Sequence, residues 1–218
     1  MLKSRQPATP GLFERVELRW SSGREVDGVW VGTFEDETRR HRVEDALQFM
    51  KQQSPLHYSR VTRYLDRIWV RLVPGANAHY SRRLNACELD ERFVQQESTT
   101  IELIASAIVH ETTHARLERG GIAYDEPKRH RIEAICLRRE LNFVSALAGC
   151  EDLQEDLRRS LDYYGNNFEF FSDRNLQQRF DDGGLEALRH LGVPKWLVAL
   201  LARTVEIRRR WRSLRTER

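Results

Sequence analysis

The residues of this chain best suited to chemistry are two histidines four apart, with a glutamate directly after the first: His110-Glu111-Thr112-Thr113-His114. On a helix, positions i and i+4 share one face, so both imidazoles can reach one ion. Glu111 lies about 100° further round, beside the ion rather than necessarily on it. There it can accept a proton from a water that the ion activates. The pentapeptide sits in a strongly apolar stretch that begins at Ile101 and ends at Leu117. Three ionisable side chains in one turn of a buried helix cost free energy unless they are partnered, and a metal ion would satisfy the histidines. Two hydrogen-bonded core histidines are the alternative.

The elements that must position these groups are legible. Thr99 and Glu102 have capping-box spacing, and Gly120-Gly121 is a suitable stop. Apolar residues cover much of the circumference between them, so a helix of about five turns is expected to be mostly buried. A second helix is predicted from Pro127 to about Gly149, with Asp125 or Glu126 near its cap. On it, Glu133 is flanked by Ile132, Ala134, Ile135 and Cys136 and is the acid most embedded in apolar surroundings. Its alternative is an ion pair with Arg129, four residues earlier, on a solvated face. Glu140, two turns later and about 10 Å along the same face, is a fallback ligand or a group that supports the histidines. Glu126 reads as a cap, and His130 is a rival nitrogen donor.

Over roughly residues 65–150 this pattern resembles the zincins, the H-E-x-x-H zinc metallopeptidase superfamily. Metzincins carry Gly three and His six residues after the second motif histidine. This chain has Leu117 and Gly120 there, so it looks more like the gluzincins, in which a Glu on a downstream helix is the third ligand. The resemblance implies Zn²⁺ held by His110, His114 and Glu133, with one position open to water and with Glu111 as general base. It implies a peptide or protein substrate that adds as a strand beside the edge strand preceding the motif helix. Ala86 to Asp90 could supply that edge; otherwise it is an ordinary inner strand. The family pairs its ligand Glu with a neighbouring Asn or Asp. Here Arg129 and Leu137 stand instead, so the partner of the histidines is unassigned. Tyr124, Tyr163, Tyr164 and His190 are candidate donors to a developing oxyanion. Mn²⁺ and Fe²⁺ remain alternatives to zinc.

The whole chain has 218 residues, and its 40% hydrophobic content is enough to bury a core. We expect a single zincin-like domain over 1–218 with three parts: mixed strand and helix over 13–95, the metal-binding helix pair over 98–149, and a helical part over 150–218. The fold class is α+β, a small twisted sheet packed on a predominantly helical core with an all-helical C-terminal half. Residues 1–12 read as a loose terminus and 13–34 as a hairpin. Short helices fit 44–51 and 58–65, separated near Ser54-Pro55. Strands fit 68–73 and 86–90, with Phe93-Val94 as an extension of the second.

The charged residues nearly cancel at +3, which gives no global argument for nucleic acid. The longest apolar run, Trp196 to Ala202, has seven residues, far short of the ~20 of a membrane span. The first twenty residues show no signal-peptide pattern. Three cysteines without C-x-x-C argue against both a disulfide framework and a cysteine zinc site, and read as buried structural thiols. The expectation is a cytoplasmic protein of unassigned oligomeric state. Trp196 to Arg212 reads as one helix, core-packing at first and basic at its tip, although its arginines could also touch nucleic acid or acidic lipid. The aromatic run Tyr163 to Phe171 either closes a small core between helices or lines a cleft. The function expected is a zinc-dependent hydrolase, most simply a peptidase. Its rivals are a regulator protease acting on one partner protein and a zinc-binding module without catalysis.

Overall fold

A computed structural model of the chain describes residues 11–34 and 36–216. The loose terminus expected over 1–12 lies outside them except for its last two residues. In chain order the elements are α1 (Leu12–Trp20), β1 (Ser22–Val26), β2 (Val29–Thr33), α2 (Glu37–Gln53), α3 (Pro55–Tyr64), β3 (Arg67–Arg71), β4 (Ala78–Ser81), β5 (Ala86–Asp90), α4 (Glu91–Gln95), α5 (Ile101–Arg119), α6 (Glu126–Val144), α7 (Glu151–Asn166), α8 (Asp173–His190) and α9 (Lys195–Thr216). A 3₁₀ turn, Glu169–Phe171, joins α7 to α8. The architecture is α+β, and everything regular after Asp90 is helical.

The sheet order is β1-β2-β3-β5-β4. Of the hairpin expected over 13–34, only Ser22 to Thr33 forms one, β1-β2, turned through Asp27 and Gly28 at positive φ (47° and 87°); the residues before it are helix α1. Strands β2, β3 and β5 run parallel, and β4 adds antiparallel to β5. This corrects one expectation: Ala86–Asp90 is an inner strand, and the edge is β4. A run of only four residues, Ala78-His79-Tyr80-Ser81, is too short and polar to announce itself as a strand. Phe93-Val94 is likewise helical, because the Asp90 carboxylate accepts from the Arg92 and Phe93 amides and caps α4.

Alternation along β3 sorts the core. Ile68 and Val70 face the main cluster, with Val43, Leu47 and Met50 of α2, Val61 of α3 and Ile104 and Ile108 of α5. Trp69 points to the other face, where Leu18 of α1 and Trp30 cover it. Helix α5 is buried on most sides, as its composition predicts. Its cap is Thr100 rather than Thr99: the Thr100 hydroxyl accepts from the Leu103 amide at 3.2 Å. Gly120 ends it, with Gly121 at φ 84°.

Helix α9 departs from the core-packing expectation. Val198 is buried, but Trp196, Leu200, Ile207 and Trp211 are all more than half exposed. Among the described residues no helix is long and apolar enough to cross a membrane.

Candidate metal centre

Helices α5 and α6 pack together, and the facing side of each carries the polar groups. His110 and His114, one turn apart, have ring centroids 5.1 Å from each other, with the planes tilted by 51°. The Glu133 carboxylate spans both: Oε2 is 3.2 Å from His110 Nε2, and Oε1 is 3.4 Å from His114 Nε2. Glu140 sits behind His110, its Oε2 2.9 Å from Nδ1, while its Oε1 accepts from the Ser106 hydroxyl at 2.7 Å. Of the two roles left open for Glu140, the geometry matches the supporting one. Its distance fixes Nδ1 as a donor and leaves Nε2 as the nitrogen that faces the site.

Cys136 joins this cluster. One donor atom each from His110, His114 and Cys136 lies within 4.8 Å of the others. Cys136 is free and buried, as expected of a structural thiol, and it also stands where it could ligate an ion. Cys136 follows Glu133 by three residues and precedes Glu140 by four, so all three share the α6 face turned to α5. That i, i+3 and i+7 spacing along one helix is a signal the sequence carries even without a paired cysteine. Cys87 and Cys150 are free and buried, and burial raises both thiol pKa values.

The electrostatics follow from these contacts. Burial opposes charge on His114, but the Cys136 sulfur and Glu133 outweigh it and hold the imidazole pKa up at about 10. His110 is likewise raised against burial by Glu133 and Glu140. Burial would raise Glu133, but the two histidines bring it well below the usual carboxylate range.

The donor set fits a divalent transition ion. A tetrahedron with bonds of ~2.0 Å has edges of about 3.3 Å. The 3.2 and 3.4 Å separations are near that edge but reach different oxygens of Glu133, Oε2 and Oε1, while the donor atoms that lie within 4.8 Å of one another belong to His110, His114 and Cys136. Two imidazoles, a carboxylate and a thiol are ligands that zinc accepts.

The cluster opens into a cleft of about 1410 Å³. His110, Glu111, His114 and Glu133 lie on its wall, and Glu111 is only 6% exposed. Tyr124 is the oxyanion candidate that reaches the centre. Its hydroxyl donates to Glu133 Oε1 at 2.5 Å and its ring packs edge-on against His114. Burial first, then Glu133, raises its pKa. Tyr164 lines the cleft further out, within an aromatic cluster that includes Tyr163, Phe170 and Phe171. The aromatic run thus does both things considered for it. Tyr163 is 55% exposed, and His190 pairs with Glu91 at 3.3 Å; neither lines the cleft. Arg129 pairs with Asp173 at 2.6 Å, not with Glu133. Glu126 accepts the Asp173 amide, and the His130 ring packs on Phe168. The far wall comes from α8 and the β3–β4 loop, whose backbones touch at Gly183 and Gly75.

Comparison of the chain with protein-family models, with curated proteins and with solved structures finds no match. The functional reading therefore rests on the site itself.

Proposed function

We propose that the chain is a zinc-dependent hydrolase of zincin type, a metallopeptidase. One observation carries this reading: the imidazoles of His110 and His114 and the Glu133 carboxylate converge on a cleft wall in which Glu111 is also buried. Zinc held by His110, His114 and Glu133 would supply an activated water and a polarised peptide carbonyl. Glu111 would hold the proton that such a water gives up and return it to the leaving nitrogen. Tyr124, kept protonated by its raised pKa, donates toward the carbonyl oxygen as negative charge builds there. Glu140 orients His110 throughout. Strand β4, paired on one side only, borders the cleft through Ala78, His79 and Tyr80 and offers its free edge to an extended peptide.

Cys136 favours a second reading. A thiolate as fourth donor would close the coordination shell and leave a zinc-binding module with no position for water.

Elemental analysis comes first, with about one zinc per chain expected in the parent and a large loss in His114→Ala. Hydrolysis of a peptide library by the parent and by Glu111→Gln then separates the readings. Zinc retained with hydrolysis reduced at least ~100-fold in the variant supports the enzyme. A parent that binds zinc and cleaves nothing supports the module.

A further inference from the structure

Helix α5 has a second polar face. Opposite the metal ligands it turns Val109, Thr112, Thr113 and Arg116 toward α3 and α6. There they enclose a small pocket of about 10 Å³, completed by His57 and Arg60 of α3 and Arg139 of α6. The charges around it are of one sign. Among the described residues, none of Arg60, Arg116 and Arg139 forms an ion pair with a carboxylate. His57 is 6% exposed; its Nδ1 meets the Ser54 hydroxyl at 2.7 Å, while its Nε2 is buried with no hydrogen-bond partner. Arg60 Nη1 is buried and unpartnered in the same way. The two threonine hydroxyls donate to the Ile108 and Val109 carbonyls, so their protons are already used.

Three guanidiniums around one pocket repel one another, and they disfavour a charge on the imidazole beside them. Burial first, then Arg139 and Arg116, depress the Arg60 pKa; burial, Arg60 and Arg139 bring His57 down to about 4. Such an arrangement is stable when an anion sits within it. We propose that His57, Arg60, Arg116 and Arg139 form a binding site for a single inorganic oxyanion of the phosphate type. The pocket is about one water in size, so it admits one oxygen against His57 and Arg60. The remaining oxygens stay at the mouth, within reach of Arg116 and Arg139. Guanidinium forks match a polyatomic oxyanion better than a halide, because each offers paired N–H donors to two oxygens. The site stands on its own residues and does not depend on the zinc reading.

The test is calorimetric titration of the full chain with inorganic phosphate, without added metal, against sodium chloride at equal ionic strength. Saturable binding by phosphate and none by chloride is expected, weakened tenfold or more in Arg60→Gln and in Arg139→Gln. The ring resonances of His57 should move as phosphate is added to the unmodified chain, a readout that survives if either variant folds poorly. Arg63→Gln, altered on the same helix outside the pocket, should bind as the parent does. The proposal is overturned by an absence of saturable binding, by an equal response to chloride, or by a His57 signal that stays still while both variants bind normally.

Discussion

Glu140 Oε2 lies 2.9 Å from Nδ1 of His110, and the other oxygen of the same carboxylate takes the Ser106 hydroxyl at 2.7 Å. All three groups project from the α5–α6 interface, and Glu140 is 7% exposed. A buried carboxylate in that position fixes the histidine tautomer and aims Nε2 at the site.

Glu140→Ala should therefore weaken zinc binding by about 10- to 100-fold in a chelator competition. It should also cost about 1–3 kcal/mol of stability, because His110 Nδ1 and Ser106 Oγ lose their partner in a buried place. Glu140→Gln keeps an acceptor oxygen and should recover most of both. Equal zinc affinity in parent and alanine variant would leave Glu140 a structural group alone.

If the centre holds an ion, Cys136 decides how many protein donors it has. If its sulfur ligates, cobalt-loaded protein should show a sulfur-to-metal charge-transfer band that Cys136→Ser abolishes. If the open-site reading holds, the band is absent in the parent and Cys136→Ser retains hydrolysis.

Much of this centre was legible because helical spacing is a strong rule. Helical period and apolar context single out His110, Glu111, His114 and Glu133, and the structure brings the two histidines and Glu133 within hydrogen-bond distance. The helix pair and the strands at 68 and 86 followed from apolar periodicity and turn residues. Features set by tertiary packing were less legible. The burial of Cys136 against His114 depends on how α6 rotates over α5, which no local pattern fixes. Strand β4 depends on β5 for its pairing, and α1 is a short helix whose residues alternate enough to pass for a strand. The Trp196–Ala202 run read as core, yet α8 covers only one side of α9.

The far wall of the cleft depends on a contact without side chains. A Cβ on Gly183 would fall 1.9 Å from the Gly75 amide nitrogen, closer than atoms can pack. Gly183→Ala should push α8 off the β3–β4 loop and destabilise the protein by about 1–3 kcal/mol, read as a lowered melting temperature. Gly75→Ala should be worse, since Gly75 also sits at φ +75° and its Cβ would meet the Arg179 carbonyl oxygen at 2.5 Å. If α8 shapes substrate binding, surviving variants should show raised KM before any loss in kcat. Unchanged melting in both would mean that the wall is free to shift.

His57 should leave a mark on acid stability. Burial first, then Arg60 and Arg139, lower its pKa from 6.5 to about 4 in the folded chain. The unfolded chain therefore takes up a proton near pH 6.5, while the folded chain resists until about pH 4. Between these values the unfolded state binds more protons, so stability falls as pH falls, and the effect levels off below pH 4. The loss from this one group amounts to about 3 kcal/mol across the window. Denaturant melts from pH 7 to pH 4, compared between parent and His57→Gln, should show the parent losing stability more steeply. Parallel curves would mean that His57 is protonated in the fold as readily as in the open chain. Phosphate in the adjacent pocket should shrink the difference by making the charged imidazole tolerable, which links this measurement to the oxyanion site.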